Sequence, residues 1–177
     1  MTTNDSVTAS IAAALLIFRL VVGLGLAVHG AQKVFGWFGS PGRLATAQGF
    51  EALGFRPGAF FALSAGLGEL GGGVLTALGF LGAVGPALIV MVILVAGIAV
   101  HLKNGFLSTN NGWELSGLYV ASGLLLALIG FGPYSLDNAI GFTMLSGPKI
   151  AGVLVLAAVV LAFLNLAMRR PVQTTAP

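Results

Sequence analysis

Five long apolar segments constrain the fold of this chain more than any other feature of its sequence. They cover residues 10–29, 59–81, 83–102, 113–131 and 150–168. Each is long enough to cross a hydrocarbon layer of about 30 Å as an α-helix. Charged residues make up only 7% of the 177 residues and hydrophobic residues 57%, a composition that excludes an ordinary soluble domain. We therefore expect an all-α polytopic membrane protein, a four-helix transmembrane bundle with a fifth, C-terminal transmembrane helix.

The connections between these segments predict the domain organisation. The second and third segments almost touch, so they must form a tight antiparallel hairpin. In the first connection, apolar residues recur at helical intervals over residues 43–55, which predicts a short amphipathic helix at the membrane surface. The predicted order is a disordered tail (1–9), the four-helix bundle (10–135), a connection with the fifth helix (136–168) and a second disordered tail (169–177).

The distribution of lysine and arginine predicts the orientation. With five spans, six of these residues fall on one side of the membrane and only Lys149 on the other. Positively charged residues near helix ends favour the cytoplasmic side. We therefore expect the N-terminus outside and the C-terminus in the cytoplasm, in the inner (plasma) membrane of the cell. The six residues are Lys33, Arg43, Arg56, Lys103, Arg169 and Arg170.

Two opposite charges lie deep within the first two spans. Counted from the span ends, Arg19 and Glu69 both lie about ten residues in, or roughly 15 Å at the rise of an α-helix. A charge near the centre of a bilayer is costly unless a partner compensates it. Small residues surround both positions and would let the helices approach closely. The sequence therefore predicts a buried Arg19–Glu69 ion pair near the midplane, with a structural role or with a role in moving protons or substrate.

A second group of polar residues clusters toward the predicted inner surface. His29 and Lys33 end the first span, His101 ends the third and Glu114 begins the fourth. If these helix faces converge, they form a polar pocket that opens inward. Each residue also has a simpler explanation: the histidines as solvated interfacial groups, Lys33 as an interfacial charge, and Glu114 as part of a capping box with Asn111.

Several short motifs, in order, resemble those of the DoxX family of small bacterial membrane proteins. They are RLVVGLGLAVHGAQKVFG, GFEALGF, GLGELGGGVLTALGFLG, His101 with NNGWEL, and GFGPYSLD, spread over residues 17–137. The resemblance implies a four-helix membrane bundle and a role in redox settings, including quinone-coupled sulfur oxidation and membrane-associated oxidoreductase complexes. It also implies that the recurrent polar set of the family includes Arg19, His29, Lys33, Glu69, His101 and Glu114.

These observations lead to three hypotheses of function, and they leave open whether the chain is an enzyme. The first is a membrane subunit that binds a small redox-active molecule such as a quinone in the polar pocket, or that supports a partner oxidoreductase subunit. The second is a non-catalytic scaffold that anchors partner proteins through the surface helix. The third is a proton-linked carrier of small solutes that uses Arg19 and Glu69; the absence of visible inverted repeats disfavours it.

Composition limits cofactors and partners further. The chain has no cysteine, which removes thiolate metal sites and iron–sulfur ligation. His29 and His101 could hold a haem or a single metal ion if they met, although we disfavour both and predict no metal site. No basic run interleaved with aromatic residues indicates nucleic acid. The expected partners are membrane lipid and an oxidoreductase subunit, and the oligomeric state stays open.

Overall fold

The computed structural model describes residues 3–170, and every regular element in that range is helical. Seven α-helices follow one another along the chain. They are α1 (Thr3–Phe35), α2 (Arg43–Ala52), α3 (Gly58–Leu78), α4 (Val84–Ala96), α5 (Glu114–Ile129), α6 (Leu136–Ile140) and α7 (Pro148–Ala167). Four helical segments are long and apolar enough to cross a membrane: Asp5–Phe35, Gly58–Leu78, Val84–Asn104 and Pro148–Ala167. The predicted all-α polytopic membrane fold is confirmed.

The first helix is longer at both ends than the sequence indicated. Its 33 residues make it about 50 Å long at the rise of an α-helix. Asp5 lies in its first turn, where a negative charge favours helix formation. The expected disordered tail of residues 1–9 is therefore wrong for residues 3–9, and residues 1–2 lie outside the described range. At the other end the helix continues past His29, which places Lys33 inside its last turn.

The α1 and α3 helices pack against each other through glycines, and this contact sets their register. A Cβ added at Gly30 would lie 2.3 Å from the backbone nitrogen of Leu70, and one at Gly23 would lie 2.6 Å from that of Ala77. Contacts this short leave room only for hydrogen, so the two backbones are nearly touching. The helices run antiparallel, and Glu69 lies level with the segment of α1 that begins at Gly30.

The α4 helix changes its winding before it ends. A π-helical turn over Gly97–His101 follows Ala96, and a 3₁₀ turn over Leu102–Asn104 completes the span. The α5 helix returns beside it as a 16-residue helix, about 24 Å long. Its start is bonded to the end of α4 by the Trp113 nitrogen, which donates to the Gly105 carbonyl. The later residue Gly123 packs on Pro86, near the beginning of α4. The shortest of the five predicted spans thus still runs alongside most of α4.

The bundle has two distinct ends. At the Lys33 end lie the end of α1, all of α2, the end of α4 and the end of α7. At the Asp137 end lie the α3–α4 turn, the end of α5, all of α6 and the start of α7. The Asp137 carboxylate accepts hydrogen bonds from the nitrogens of Leu81 and Gly82, at 3.0 and 2.7 Å, and so joins the α6 region to the α3–α4 turn.

The α2 helix lies at the Lys33 end, within the predicted range of 43–55, and none of its own residues is buried. The chain after it is bonded to the end of α7. Arg169 donates from Nε to the Leu53 carbonyl, and the Arg170 nitrogen donates to the Gly54 carbonyl, both at 2.8 Å. Gly54 has a φ of +91° and faces the Arg170 backbone, so a side chain there would be strained and would clash. The expected disordered tail of 169–177 is thus wrong for residues 169–170; the rest lies outside the described range.

Candidate functional site

A cavity of about 220 Å³ lies at the Lys33 end, between helices from four spans and the chain that follows α2. Its wall is largely apolar, with a few polar side chains at separate points. Those polar residues are Lys33, Ser64, Glu69, His101 and Asn165. The apolar residues are Phe50, Leu53, Phe55, Phe61, Ala65, Met91, Val92, Val95, Ala96, Ala99 and Val100. A concave, mostly apolar site with a few polar groups is typical of a small-molecule pocket.

The only salt bridge among residues 5–170 joins Lys33 to Glu69, with 2.5 Å between Nζ and Oε2. The Glu69 side chain is 5% exposed and that of Lys33 is 26% exposed, so the carboxylate is enclosed while the lysine side chain is partly accessible. A carboxylate in such a place requires a compensating charge. The predicted Arg19–Glu69 pair is therefore wrong, because Lys33 occupies the position beside Glu69.

Arg19 lies instead toward the Asp137 end, against the last turn of α3. Its guanidinium group donates to the Ala77 carbonyl at 2.8 Å and to the Tyr134 carbonyl, and it lies 6.0 Å from the centre of the Phe131 ring. Carbonyls at the C-terminal end of a helix carry partial negative charge and can stabilise a cation. The residue is 3% exposed, so it holds α1, α3 and the segment after α5 together. The basis for a midplane relay through Arg19 and Glu69, and with it the proton-linked carrier hypothesis, is lost.

The π-helical turn of α4 brings His101 to the cavity. His101 lines the wall, and its Nδ1 lies 3.0 Å from the Asn111 carbonyl, which leaves Nε2 as the other polar atom of the ring. Turns of this kind widen a helix and occur often at functional sites. His29 is exposed on α1 and does not line the cavity, so the condition for a shared haem or metal site, that the two histidines meet there, is not fulfilled. Within residues 5–170, no group of three His, Asp or Glu side chains could hold a metal ion.

Glu114 also lies outside the cavity. Its carboxylate accepts a hydrogen bond from the Ser108 nitrogen at 2.8 Å and so stabilises the loop between α4 and α5. Asn111 has a left-handed backbone and is not the N-cap of α5, which is Trp113. The capping box is therefore not formed, although Glu114 does have a local structural contact.

Three polar residues of the structure were missed by sequence reasoning. Ser64 and Asn165 line the cavity, and Asp137 is a buried carboxylate at the opposite end. Asn165 was detectable, because it is the only polar residue of α7 after Lys149. Ser64 gave no signal, since an isolated serine is common in membrane helices.

Comparison with known families identifies the group to which this bundle is related. A family model described as DoxX matches residues 14–102, half of the chain. The chain belongs to the DoxX family. The match ends at Leu102, short of residue 137, to which the motif resemblance extended. No curated protein and no solved structure matches the chain.

The DoxX match covers only part of the cavity. Lys33, Glu69 and His101 lie within the matched residues, whereas α7, which contributes Asn165 to the cavity wall, follows them. Of the six polar residues expected from the DoxX resemblance, the structure thus brings three together in one cavity. The other three, Arg19, His29 and Glu114, lie elsewhere.

The cavity combines donors and acceptors of different kinds. The Lys33 ammonium group can donate, the Glu69 carboxylate can accept, and the His101 ring can do either depending on its tautomer. All three polar groups face mostly aliphatic and aromatic walls, where a hydrogen bond is stronger than in water. The arrangement can offer hydrogen bonds to carbonyl or hydroxyl groups beside an apolar surface.

Proposed function

We propose that this DoxX-family protein binds a small redox-active molecule such as a quinone in the cavity, and that it serves a membrane oxidoreductase system as the binding subunit. The observation that carries this proposal is the Lys33–Glu69 ion pair in a largely apolar cavity. A structural pair alone would not need a cavity beside it. Here the ammonium group borders open space and has donors left to offer.

The polar groups suit the two oxidation states of such a ligand. A quinone carbonyl would accept a hydrogen bond from Lys33 or from His101, and a quinol hydroxyl would donate to Glu69. Phe55 and Phe61, whose ring centres lie 5.2 Å apart, provide an aromatic wall for a planar ring. The cavity volume of about 220 Å³ is small for a ligand pocket, so it suits a single ring better than a long isoprenoid tail.

The proposal also places the cavity in the membrane. The six positively charged residues listed above all belong to the Lys33 end, whereas Lys149 begins α7 at the Asp137 end. By the positive-inside rule, the Lys33 end faces the cytoplasm and the N-terminus lies outside. The cavity would then open near the cytoplasmic surface of the plasma membrane, where soluble oxidoreductases could reach it.

Ligand extraction and binding titration test the proposal together. Purified protein is extracted with organic solvent, the extract is analysed by mass spectrometry, and a short-chain benzoquinone is titrated into the protein in micelles. Lys33→Met should weaken binding at least tenfold, because the variant loses the charged donor. Lys103→Met is the matched control, since Lys103 is exposed at the same end and does not line the cavity. Absence of quinone from the extract, together with titrations that are flat or unchanged in Lys33→Met, would refute the proposal.

A scaffold role is the second candidate, and the surface near α2 favours it. Trp37, Phe38 and Leu44 are 57%, 63% and 74% exposed, and they flank the turn between α1 and α2. Such residues can insert into the lipid interface or contact a partner subunit. If the protein is an anchor, replacing all three with serine should abolish co-purification of an oxidoreductase subunit, and Lys33→Met should have no effect on it. The opposite pattern would remove this candidate.

A further inference from the structure

The last helix, α7, contains one polar residue among apolar neighbours. Between Lys149 and the end of the helix, every residue other than Asn165 is aliphatic, aromatic or glycine. A polar side chain in a membrane helix is costly where it faces lipid, and it is usually directed into the protein or toward a cavity. The presence of Asn165 in this helix therefore needs a structural or functional reason, whereas its apolar neighbours are expected in a membrane helix.

The buried face of α7 determines where Asn165 lies. The buried residues of this helix are Ala151, Ala158 and Ala162, which recur at intervals of seven and four and so share one face. Asn165, three residues after Ala162, continues that face toward the Lys33 end. It is partly buried and lines the cavity, and within residues 5–170 no other group hydrogen-bonds its amide. An amide in this position has two donors and an acceptor free for a ligand.

The end of α7 is fixed one turn beyond Asn165. Arg169 and Arg170 are hydrogen-bonded to the carbonyls of Leu53 and Gly54, as described above. The Arg169 guanidinium group also lies 5.6 Å from the centre of the Phe55 ring, itself part of the cavity wall. These contacts join α7 to the same segment that closes the cavity. The last turn of α7, which carries Asn165, is thus held against the cavity wall.

From this geometry we propose that Asn165 is a ligand-binding residue that selects molecules with two polar ring substituents. The inference rests on the proposed function and names the ligand class more narrowly. One substituent binds the Lys33–Glu69 pair, which belongs to α1 and α3, and the second binds the Asn165 amide from α7. A ring with a single carbonyl or hydroxyl group can bond to either the Lys33–Glu69 pair or the Asn165 amide, so the other protein group is left without a bond to the ligand.

A matched pair of ligands tests this selection. The probes are tetramethylhydroquinone and tetramethylphenol, which differ by one hydroxyl group, titrated under anaerobic conditions into the full-length protein in micelles. The wild-type protein should bind the hydroquinone about tenfold more tightly than the phenol, because the second hydroxyl finds a hydrogen-bond partner in Asn165. In Asn165→Leu that ratio should fall below twofold. The absence of cysteine keeps thiol addition to any oxidised probe from interfering.

A control variant and a conservative variant accompany Asn165→Leu. Leu164→Ala changes the adjacent, 56% exposed residue of α7 and should keep the wild-type ratio. Asn165→Gln retains an amide that is displaced by one methylene, so it should fold and give an intermediate ratio even if the leucine variant aggregates. A ratio unchanged in both Asn165 variants, with binding still dependent on Lys33, overturns the role of Asn165 alone. Failure of the wild-type protein to bind either probe overturns the proposed function, and this inference with it.

Discussion

Removing the two members of the Lys33–Glu69 pair should have unequal effects on stability, because they differ in exposure. Lys33→Met leaves a carboxylate whose side chain is 5% exposed without its partner. Breaking a buried pair in this way costs about 3 kcal/mol or more. Glu69→Gln instead leaves an ammonium group that is already 26% exposed and can extend toward the interface, so its cost should be nearer to about 1 kcal/mol.

The double variant measures how strongly the two charges are coupled. Lys33→Met/Glu69→Gln contains no unpaired charge, so it should cost about 1–2 kcal/mol, well below the sum of the single effects. The coupling energy between the two positions should then be about 2 kcal/mol.

The free energy of unfolding is measured by titrating denaturing detergent into mixed micelles and following the helical circular dichroism signal. Lys103→Met, which changes an exposed lysine at the same end, should lie within about 0.5 kcal/mol of the wild type. Equal costs for the two single variants would contradict the argument from exposure, and additive costs in the double variant would show that the two charges are not coupled.

Three other substitutions test the packing and the two ends of the bundle. Gly30→Ala should reduce the yield of folded protein sharply, because its Cβ would meet the α3 backbone, whereas Gly71→Ala has nothing within 4 Å and should be neutral; size-exclusion chromatography measures both. Arg19→Lys should cost about 2 kcal/mol of unfolding free energy, since an ammonium group cannot reproduce both carbonyl contacts, and a neutral result would remove its tethering role. Asp137→Ala should leave two backbone nitrogens unpaired and increase proteolysis at the α3–α4 turn; unaltered cleavage would contradict this.

The sequence was sufficient for the fold class, because the apolar segments are long and the turns between them are short. Helix ends were harder to place. The first span was ended at His29, whereas α1 continues to Phe35. The sequence does not mark the end of α1, because the polar residues Gln32 and Lys33 continue the helix beyond the apolar segment. The error at this end carried over to the depth assigned to each charged residue.

The partner of Glu69 could not be predicted by counting how many residues each charge lies from the end of its span. Counting from the span ends placed Arg19 and Glu69 level, but the register of two helices depends on which residues touch. The contacts of Gly30 with Leu70 and of Gly23 with Ala77 place Glu69 beside the last turns of α1. Arg19 instead donates its hydrogen bonds to backbone carbonyls, and such partners have no signature in the sequence. Lys33, assigned to the interface because lysine commonly lies there, is the actual partner.

The glycine contact between α1 and α3 also limits how these two helices can move relative to each other. Two helices whose backbones touch along several turns cannot slide or tilt without collision, so α1 and α3 behave as one rigid unit. The α2 helix meets α3 closely at one position, where a Cβ added at Gly58 would lie 2.1 Å from the Ala47 carbonyl oxygen, and the chain after α2 is hydrogen-bonded to Arg169 and Arg170. With α1 and α3 fixed relative to each other, any change in the width of the cavity has to come from the other helices that line it, α2, α4 and α7.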